Sequence, residues 1–232
     1  LNLGPFEQQF NENRPFFTEG TDLFSKGNLL YSRRIGQTPD LNLNIAENES
    51  VDNPGAINLL NALKISGRDK DGLGIGFLNA ITEKTTATVT NDDNDETRNI
   101  EVSPLTNYNV MVFDQRFNQN SSVTFINTNV TRNGSFRDAN VTGLLFDLNN
   151  KTNTHNLSGG LKSSSINDVE NKNGYNASLY FAETNGKFRY SFGSEYMSKD
   201  FEINDLGINF RTNYYSFSGN TNYRILIPNK TF

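Results

Sequence analysis

About ten stretches of this chain alternate apolar and polar side chains, and most of them run for 11 to 14 residues. They lie at 29–35, 57–68, 73–84, 105–116, 121–131, 139–149, 154–165, 174–184, 187–198 and 214–227. Alternation of period two sends successive side chains to opposite faces, which is the mark of a β-strand. Strands of soluble sheets usually hold about 5 or 6 residues, whereas a tilted strand crossing a bilayer needs roughly 9 to 11. Length alone therefore predicts membrane-crossing strands. The connections point the same way. Short ones at 69–72, 117–120, 150–153 and 185–186 take turns with longer ones at 36–56, 85–104, 132–138, 166–173 and 199–213. An up-and-down barrel keeps that parity, with tight periplasmic turns and long extracellular loops. A Greek-key sandwich has no reason to keep it. The expected fold is all-β: an antiparallel up-and-down transmembrane β-barrel, or an incomplete amino-terminal part of one with about ten strands. The same parity puts the start of the first strand, and the amino terminus, on the periplasmic side.

The stretch "YNASLYFAETNGKFRYSFGSEY" at 175–196 shows how the two faces differ. Asn185-Gly186 is a strong signal for a two-residue hairpin turn, since both residues tolerate positive φ. Folding there pairs Phe181 with Tyr190, Leu179 with Phe192 and Tyr175 with Tyr196. One face then carries Tyr175, Leu179, Phe181, Phe188, Tyr190, Phe192 and Tyr196; the other carries Asn176, Ser178, Lys187, Arg189, Ser191, Gly193 and Glu195. In the last stretch Tyr215, Phe217, Gly219, Thr221, Tyr223 and Ile225 share a row, aromatic at both ends and small between. Aromatic girdles flanking a small or aliphatic centre suit a lipid-facing band. Segment 121–131 is less regular, because Asn127 and Asn129 share the row of Val123 and Phe125, which suggests a shifted register.

Composition removes other readings. A disordered chain would lack aromatics, and this one has 18 Phe and 9 Tyr. It has no Cys, hence no disulfide, no thiolate metal site and no cysteine nucleophile. No apolar run approaches the length of a transmembrane helix. A net charge of −5 without basic clusters excludes nucleic acid as the expected partner. Residues 1–28 do not alternate. Phe6, Phe10, Phe16, Phe17 and Phe24 are scattered among Pro, Gly and Glu, with at most a turn or two of helix at 5–10. An irregular backbone cannot face lipid, so this lead-in is expected in the periplasm or as a partial plug in the barrel. Residues 29–232 are then the barrel proper. Pro228, Asn229 and Lys230 read as a periplasmic turn into a further strand.

Individual residues offer little chemistry. His155, followed by Asn156 and Ser158, holds the types of a Ser–His–Asn relay. No nucleophile elbow or oxyanion motif accompanies it, and a polar strand end is the better reading. Asp92, Asp93, Asp95 and Glu96 could hold a cation through oxygen ligands, but the loop lacks the glycine and closing glutamate of an EF-hand. Arg33, Arg34, Lys64, Arg68, Arg116 and Arg189 fall within strand-like stretches. Some of them must face inward, because a charge at mid-bilayer costs about 2–4 kcal/mol. The repeated Asn-x-Ser/Thr triplets, Asn129-Val130-Thr131 among them, reflect an asparagine-rich composition. The glycines of "GLGIG" (72–76) fit a wall where neighbouring aromatics need room. No catalytic, cofactor-binding or metal-binding residue is expected, and no enzyme.

The stretch "RPFFTEGTDLFSKGNLLYSRRIG" (14–36) resembles the barrel opening of a bacterial outer-membrane family known only as domain of unknown function 5916. "NALKISGRDKDGLGIGFLNAIT" (61–82), "VSPLTNYNVMVFDQRF" (102–117) and "DFEINDLGINFRTNYYSFSGNTNYR" (200–224) match it in order. The resemblance implies an outer-membrane barrel, preceded in longer members by a carbohydrate-binding family 9-like module and continuing past Phe232. It defines no catalytic residues. The expected role is solute passage or glycan-related uptake in the bacterial outer membrane. The expected surroundings are outer-membrane lipid and lipopolysaccharide, with barrel-assembly machinery or another envelope protein capping the edges of an incomplete barrel. The alternative is a soluble extracellular β-sheet adhesin or binding module.

Overall fold

The structure, a computed structural model, describes residues 9–39 and 45–225. It is all-β and antiparallel, with two sheets. Nine strands make the larger one: β2 (Leu59–Arg68), β3 (Leu73–Thr82), β6 (Thr106–Phe117), β7 (Ser121–Arg132), β8 (Asp138–Asn149), β9 (His155–Asn167), β10 (Lys172–Glu183), β11 (Phe188–Met197) and β12 (Tyr214–Tyr223). Its order is β12-β11-β10-β9-β8-β7-β6-β3-β2. The smaller sheet joins β1 (Glu49–Asp52), β4 (Thr85–Asn91) and β5 (Thr97–Ser103) in the order β1-β4-β5. Except at the end of β12, the main-sheet boundaries fall within about two residues of those the alternation gives. Strict period-two patterning is the strongest local signal a strand has.

The sheet is not a closed barrel: β2 and β12 are free edges. Its nine strands are joined by eight antiparallel pairings, so β2 and β12 run in the same direction. All of the expected short turns lie at one end, and the remaining connections at the other. Two of the latter, 133–137 and 168–171, are themselves short, within the three-to-five-residue range of the turns opposite them. The expected loop at 85–104 is itself the β4–β5 hairpin, paired to β1 to form the second sheet.

Residues 29–35 are not a strand. Gly27 and Asn28 take positive φ of 68° and 54°, which breaks the extended backbone ahead of them. The chain bends here instead, with 3₁₀ turns at Lys26–Asn28 and Ser32–Arg34, after the short helix α1 (Pro15–Thr18). Leu29 and Ile35 are fully buried. The non-strand segment thus runs on past residue 28, and with Phe17, Leu23, Phe24 and Leu29 it packs onto the concave face of the sheet against Leu78, Ala80, Val110, Val112, Ile126 and Val141. It dips and returns. Gly20 lies at Ser66, Leu23 and Phe24 over Gly74 and Gly76 near the short-turn end, and Gly27 at Leu145 and Lys162. The Tyr31 N–H then donates to the Leu206 carbonyl at the opposite end. The glycines of the GLGIG stretch do make room, since a Cβ on Gly76 would stand 3.2 Å from the Phe24 ring. A second cap comes from 198–213, where Phe201, Ile203 and Leu206 are buried beside Met197 and Ile166.

The hairpin at 175–196 keeps its expected faces but not its register. Phe181 pairs with Phe192, Leu179 with Ser194 and Ala177 with Tyr196, two residues away from a two-residue turn's pairing. The connection spans 184–187, and of Asn185 and Gly186 only Gly186 has positive φ, 89°. Asn185 instead accepts the Gly186 N–H through its own side chain at 2.8 Å. A slip of two leaves every side chain on its own face. The proposed helix at 5–10 and the turn at 228–230 lie in whole or in part outside the described residues.

Candidate functional site

Burial on the main sheet is inverted relative to an ordinary half-solvated sheet. The concave face is covered by the lead-in and the 198–213 cap, and the convex face is left bare although it is strongly apolar. Cross-strand pairing lines its side chains up in rows. One row runs Ile75, Phe113, Phe125, Leu144, Leu161, Ala177, Tyr196, Tyr215 across eight strands. The row below runs Leu73, Gln115, Val123, Phe146, Gly159, Leu179, Ser194, Phe217. Leu144, Leu161, Leu179, Phe192 and Phe217 are all exposed, Phe217 by 81%. Aromatic contacts tie the β10–β12 part together: Tyr196 to Tyr215 at 4.9 Å, Tyr215 stacked on Phe217, and Tyr190 beside Phe181, Phe188 and Phe192. A contiguous apolar surface of this extent is far larger than a monomer leaves in water without reason.

The concave side carries the charges. Lys64, Arg68, Arg116, Lys162 and Arg189 all lie on its rows. Two of them grip the lead-in's backbone: Lys64 donates to the carbonyls of Phe16 and Glu19, and Lys162 to that of Gly27 at 2.8 Å. Asp114, its side chain wholly buried, receives Arg68 at 2.5 Å, the Thr124 hydroxyl at 2.5 Å, Lys26 at 3.5 Å and Arg116 at 3.8 Å. One carboxylate thereby ties the lead-in to three strands. Arg189 stays near the uncovered part of the face and reaches only the Gly186 carbonyl at 3.3 Å among the bonds described.

At the end away from the short turns, the lead-in, β6, β7 and the 198–213 cap line an open cavity of about 470 Å³. Tyr108 and Phe136 give it aromatic walls, and Arg132, Arg137, Glu202 and Asp205 a paired floor. Arg132 meets Asp205 at 2.8 Å; Arg137 meets Asp205 at 2.5 Å and Glu202 at 2.8 Å. Burial works to lower the Arg137 guanidinium's pKa, but its hydrogen bonds and attraction to Asp205 and Glu202 outweigh that and raise it. It is a permanent cation here. Planar charged groups beside aromatic rings can pair with the vicinal hydroxyls and apolar faces of a small polyhydroxylated solute.

The residues singled out in the sequence are not brought together into a catalytic group. His155 and Ser158 differ in strand parity, so their side chains leave β9 on opposite faces. The His155 ring stacks on Phe181 at 5.9 Å, with Nδ1 near Asn150 and Thr154, while Asn156 donates to Asp147. The acidic residues sit at the β4–β5 tip. Asp92 accepts from Ser50 at 2.8 Å and Asp93 from Asn48 at 2.7 Å, so the loop fastens β1 to its neighbour. Among the described residues, no three His, Cys, Asp or Glu side chains stand where they could hold a metal ion. Arg33 stacks over Phe10 at 5.6 Å, and Arg34 reaches the Gly207 carbonyl at 3.3 Å; neither belongs to a strand. The cavity residues escaped the sequence reading because they come from the lead-in, the ends of strands and connections that lie far apart in the chain. The recurrence of Phe201, Ile203 and Leu206 among polar residues inside a long connection was the available hint that it folds back.

The model of the family described as domain of unknown function (DUF5916) matches residues 1–232, and the chain belongs to that family. No curated protein and no solved structure matches it.

Proposed function

We propose that this member of the family is a membrane-embedded β-sheet of the bacterial outer membrane, part of a barrel wall whose concave side is occupied by its own lead-in. The observation that carries this reading is the bare convex face, apolar row upon row across eight strands. Water gives such a face no compensation; at roughly 25 cal/mol per Å² its exposure is a large standing cost, which hydrocarbon removes. In this reading the short turns face the periplasm, and the smaller sheet and the 198–213 cap lie outside. The lead-in's placement leaves the amino-terminal side open, because the strand that fixed it, 29–35, is a bend. Residues 10–14 lie against 31–35 at the end away from the short turns. The free edges of β2 and β12 call for antiparallel partner strands, since an open sheet edge is not tolerated in lipid. The charged, aromatic cavity at the outer end is the place where a small hydroxylated solute would be received.

Leu144→Arg tests the membrane reading. At mid-bilayer the charge costs about 2–4 kcal/mol, so the variant should partition from vesicles at least tenfold more than the parent chain. A surface position in a water-soluble protein would absorb the same change within about 0.5 kcal/mol. Recovery of the parent chain in the supernatant of an alkaline carbonate wash, with Leu144→Arg unchanged or better behaved, would replace this reading with the soluble adhesin.

A further inference from the structure

The convex rows change character abruptly towards the end that carries the longer connections. The row Phe77, Met111, Asn127, Thr142, Ser163, Tyr175 is mixed, and the next is Asn79, Asn109, Asn129, Asn140, Ser165, Asn173. Asparagine thus occupies the same level on four adjacent strands, with Asn107 and Thr131 one level beyond. The side chains are joined in the plane of the sheet. The Asn79 amide donates to Asn107 at 2.6 Å and Asn109 at 2.9 Å; that of Asn127 donates to Asn140 at 3.1 Å and Thr142 at 2.8 Å; Thr131 donates to Asn129 at 3.0 Å. This also explains the irregular segment 121–131. Its register is sound, and Asn127 and Asn129 share the row of Val123 and Phe125 because the row itself passes from apolar to amide. The Asn-x-Thr triplets at 129–131 and 140–142 have the same origin, since residues two apart share a face.

A carboxamide has two donor hydrogens and two acceptor lone pairs. Asn79 and Asn127 spend their amide hydrogens within the sheet, on neighbouring side chains and on the Tyr108 and Val141 carbonyls, whereas no bond described uses the amide hydrogens of Asn109 and Asn129, which leaves that capacity open. Hydrocarbon would leave it unpaired at a cost of several kcal/mol per group. None of the six positions of the amide row is charged. Ammonium or guanidinium groups would be needed to favour phosphate over water; neutral amides instead match hydroxyls, which donate and accept in turn. The amide row lies one mixed row beyond the last apolar row, four residues or roughly 13 Å along each strand.

We infer that the asparagine ladder on β3, β6, β7 and β8 seats the neutral saccharide headgroup of a glycolipid whose acyl chains lie on the apolar rows beneath it. The inference rests on the membrane reading above. It gives that reading a specific neighbour, a lipid recognised by its sugar hydroxyls.

The test uses vesicles of phosphatidylcholine alone, or with a tenth of the lipid replaced by a diglucosyl diacylglycerol. The probes are the parent chain, a quadruple variant Asn79→Ala/Asn109→Ala/Asn129→Ala/Asn140→Ala, and a second quadruple variant to Thr, which keeps strand propensity. The expected result is at least fivefold tighter retention of the parent chain on the glycolipid vesicles. Both variants should still enter phosphatidylcholine vesicles and should lose that gain. Equal retention of the parent chain on both vesicle types overturns the inference and leaves the membrane reading standing. Competition by free maltose at the same sugar concentration also overturns it, because the source is then a soluble glycan. Failure of the parent chain to enter either vesicle overturns the membrane reading and the inference with it.

Discussion

Asp114 stands on the concave face of β6 with no solvent exposure of its side chain, and three cations and one hydroxyl converge on it. Removing one partner of a buried ion pair leaves uncompensated charge, at a cost of about 3–5 kcal/mol. Asp114→Ala should therefore lower the urea midpoint of the micelle-bound protein by that equivalent, and Asp114→Asn, which can still accept from Thr124, should lose less. Glycine positions give a second contrast. Gly174 lies directly beneath the backbone of Phe201, so a methyl group there displaces the cap, whereas Gly67 has open space around it. Gly174→Ala should cost about 1–3 kcal/mol through overpacking, and Gly67→Ala should be neutral in the same titration. Nothing in the local sequence separates these two glycines; both follow a polar residue in a strand-like stretch.

At the scale of elements, the lead-in is held at its returning limb by Glu12 and Arg14. Arg14 donates to Glu12 and to the carbonyls of Ser32 and Ile35, and the Ser32 hydroxyl donates to Glu12 at 2.6 Å. The Arg14 hydrogen bond is the main reason that the Glu12 carboxyl falls from its usual 4.5 to about 2, with burial acting against it and Ser32 and the Arg14 N–H helping. A lowered folded-state pKa means that the stabilisation is complete above about 4.5 and is lost as the pH falls through the folded value. Proteolysis by pepsin within 9–36 should therefore accelerate between pH 4.5 and 2, and Glu12→Gln should cleave readily across that window with little pH dependence. A Glu12→Gln chain as resistant at pH 4.5 as the parent would refute the clamp. The strands themselves were legible element by element, because alternation over ten or more residues has no competing helical reading. The bend at 29–35 was not, because Leu29 and Ile35 mimic strand spacing while packing against a wall formed far away in sequence.

For the whole molecule, the odd strand count decides how the sheet can end. Two edges running the same way could meet only as a parallel seam, whereas every pairing present is antiparallel. Cysteines introduced at Leu63 on β2 and Phe217 on β12 should therefore form no intramolecular disulfide in membranes under mild oxidation, while Ala177→Cys with Tyr196→Cys, directly paired on β10 and β11, should cross-link. Efficient Leu63–Phe217 cross-linking would show that the sheet closes on itself. Two copies inserted with the same orientation would face each other as β12 and β2, again in parallel, so like-oriented self-assembly does not solve the edge either. In the proposed membrane reading, a strand that caps the β12 edge would run opposite to β12.

The sequence by itself determined the nine strands of the main sheet, their antiparallel order and which face of each is apolar, because strand periodicity and turn residues act over a few positions. It could not say which of the two faces meets solvent, since the same alternation serves a soluble sheet and a barrel wall. That was decided by the tertiary structure, in which the lead-in and the 198–213 cap fill the concave side and leave the aromatic rows uncovered. Register within the 175–196 hairpin, the openness of the sheet and the asparagine ladder are tertiary in the same sense. Each depends on pairings between residues distant in the chain, and local propensity carries no information about which distant residue will stand opposite.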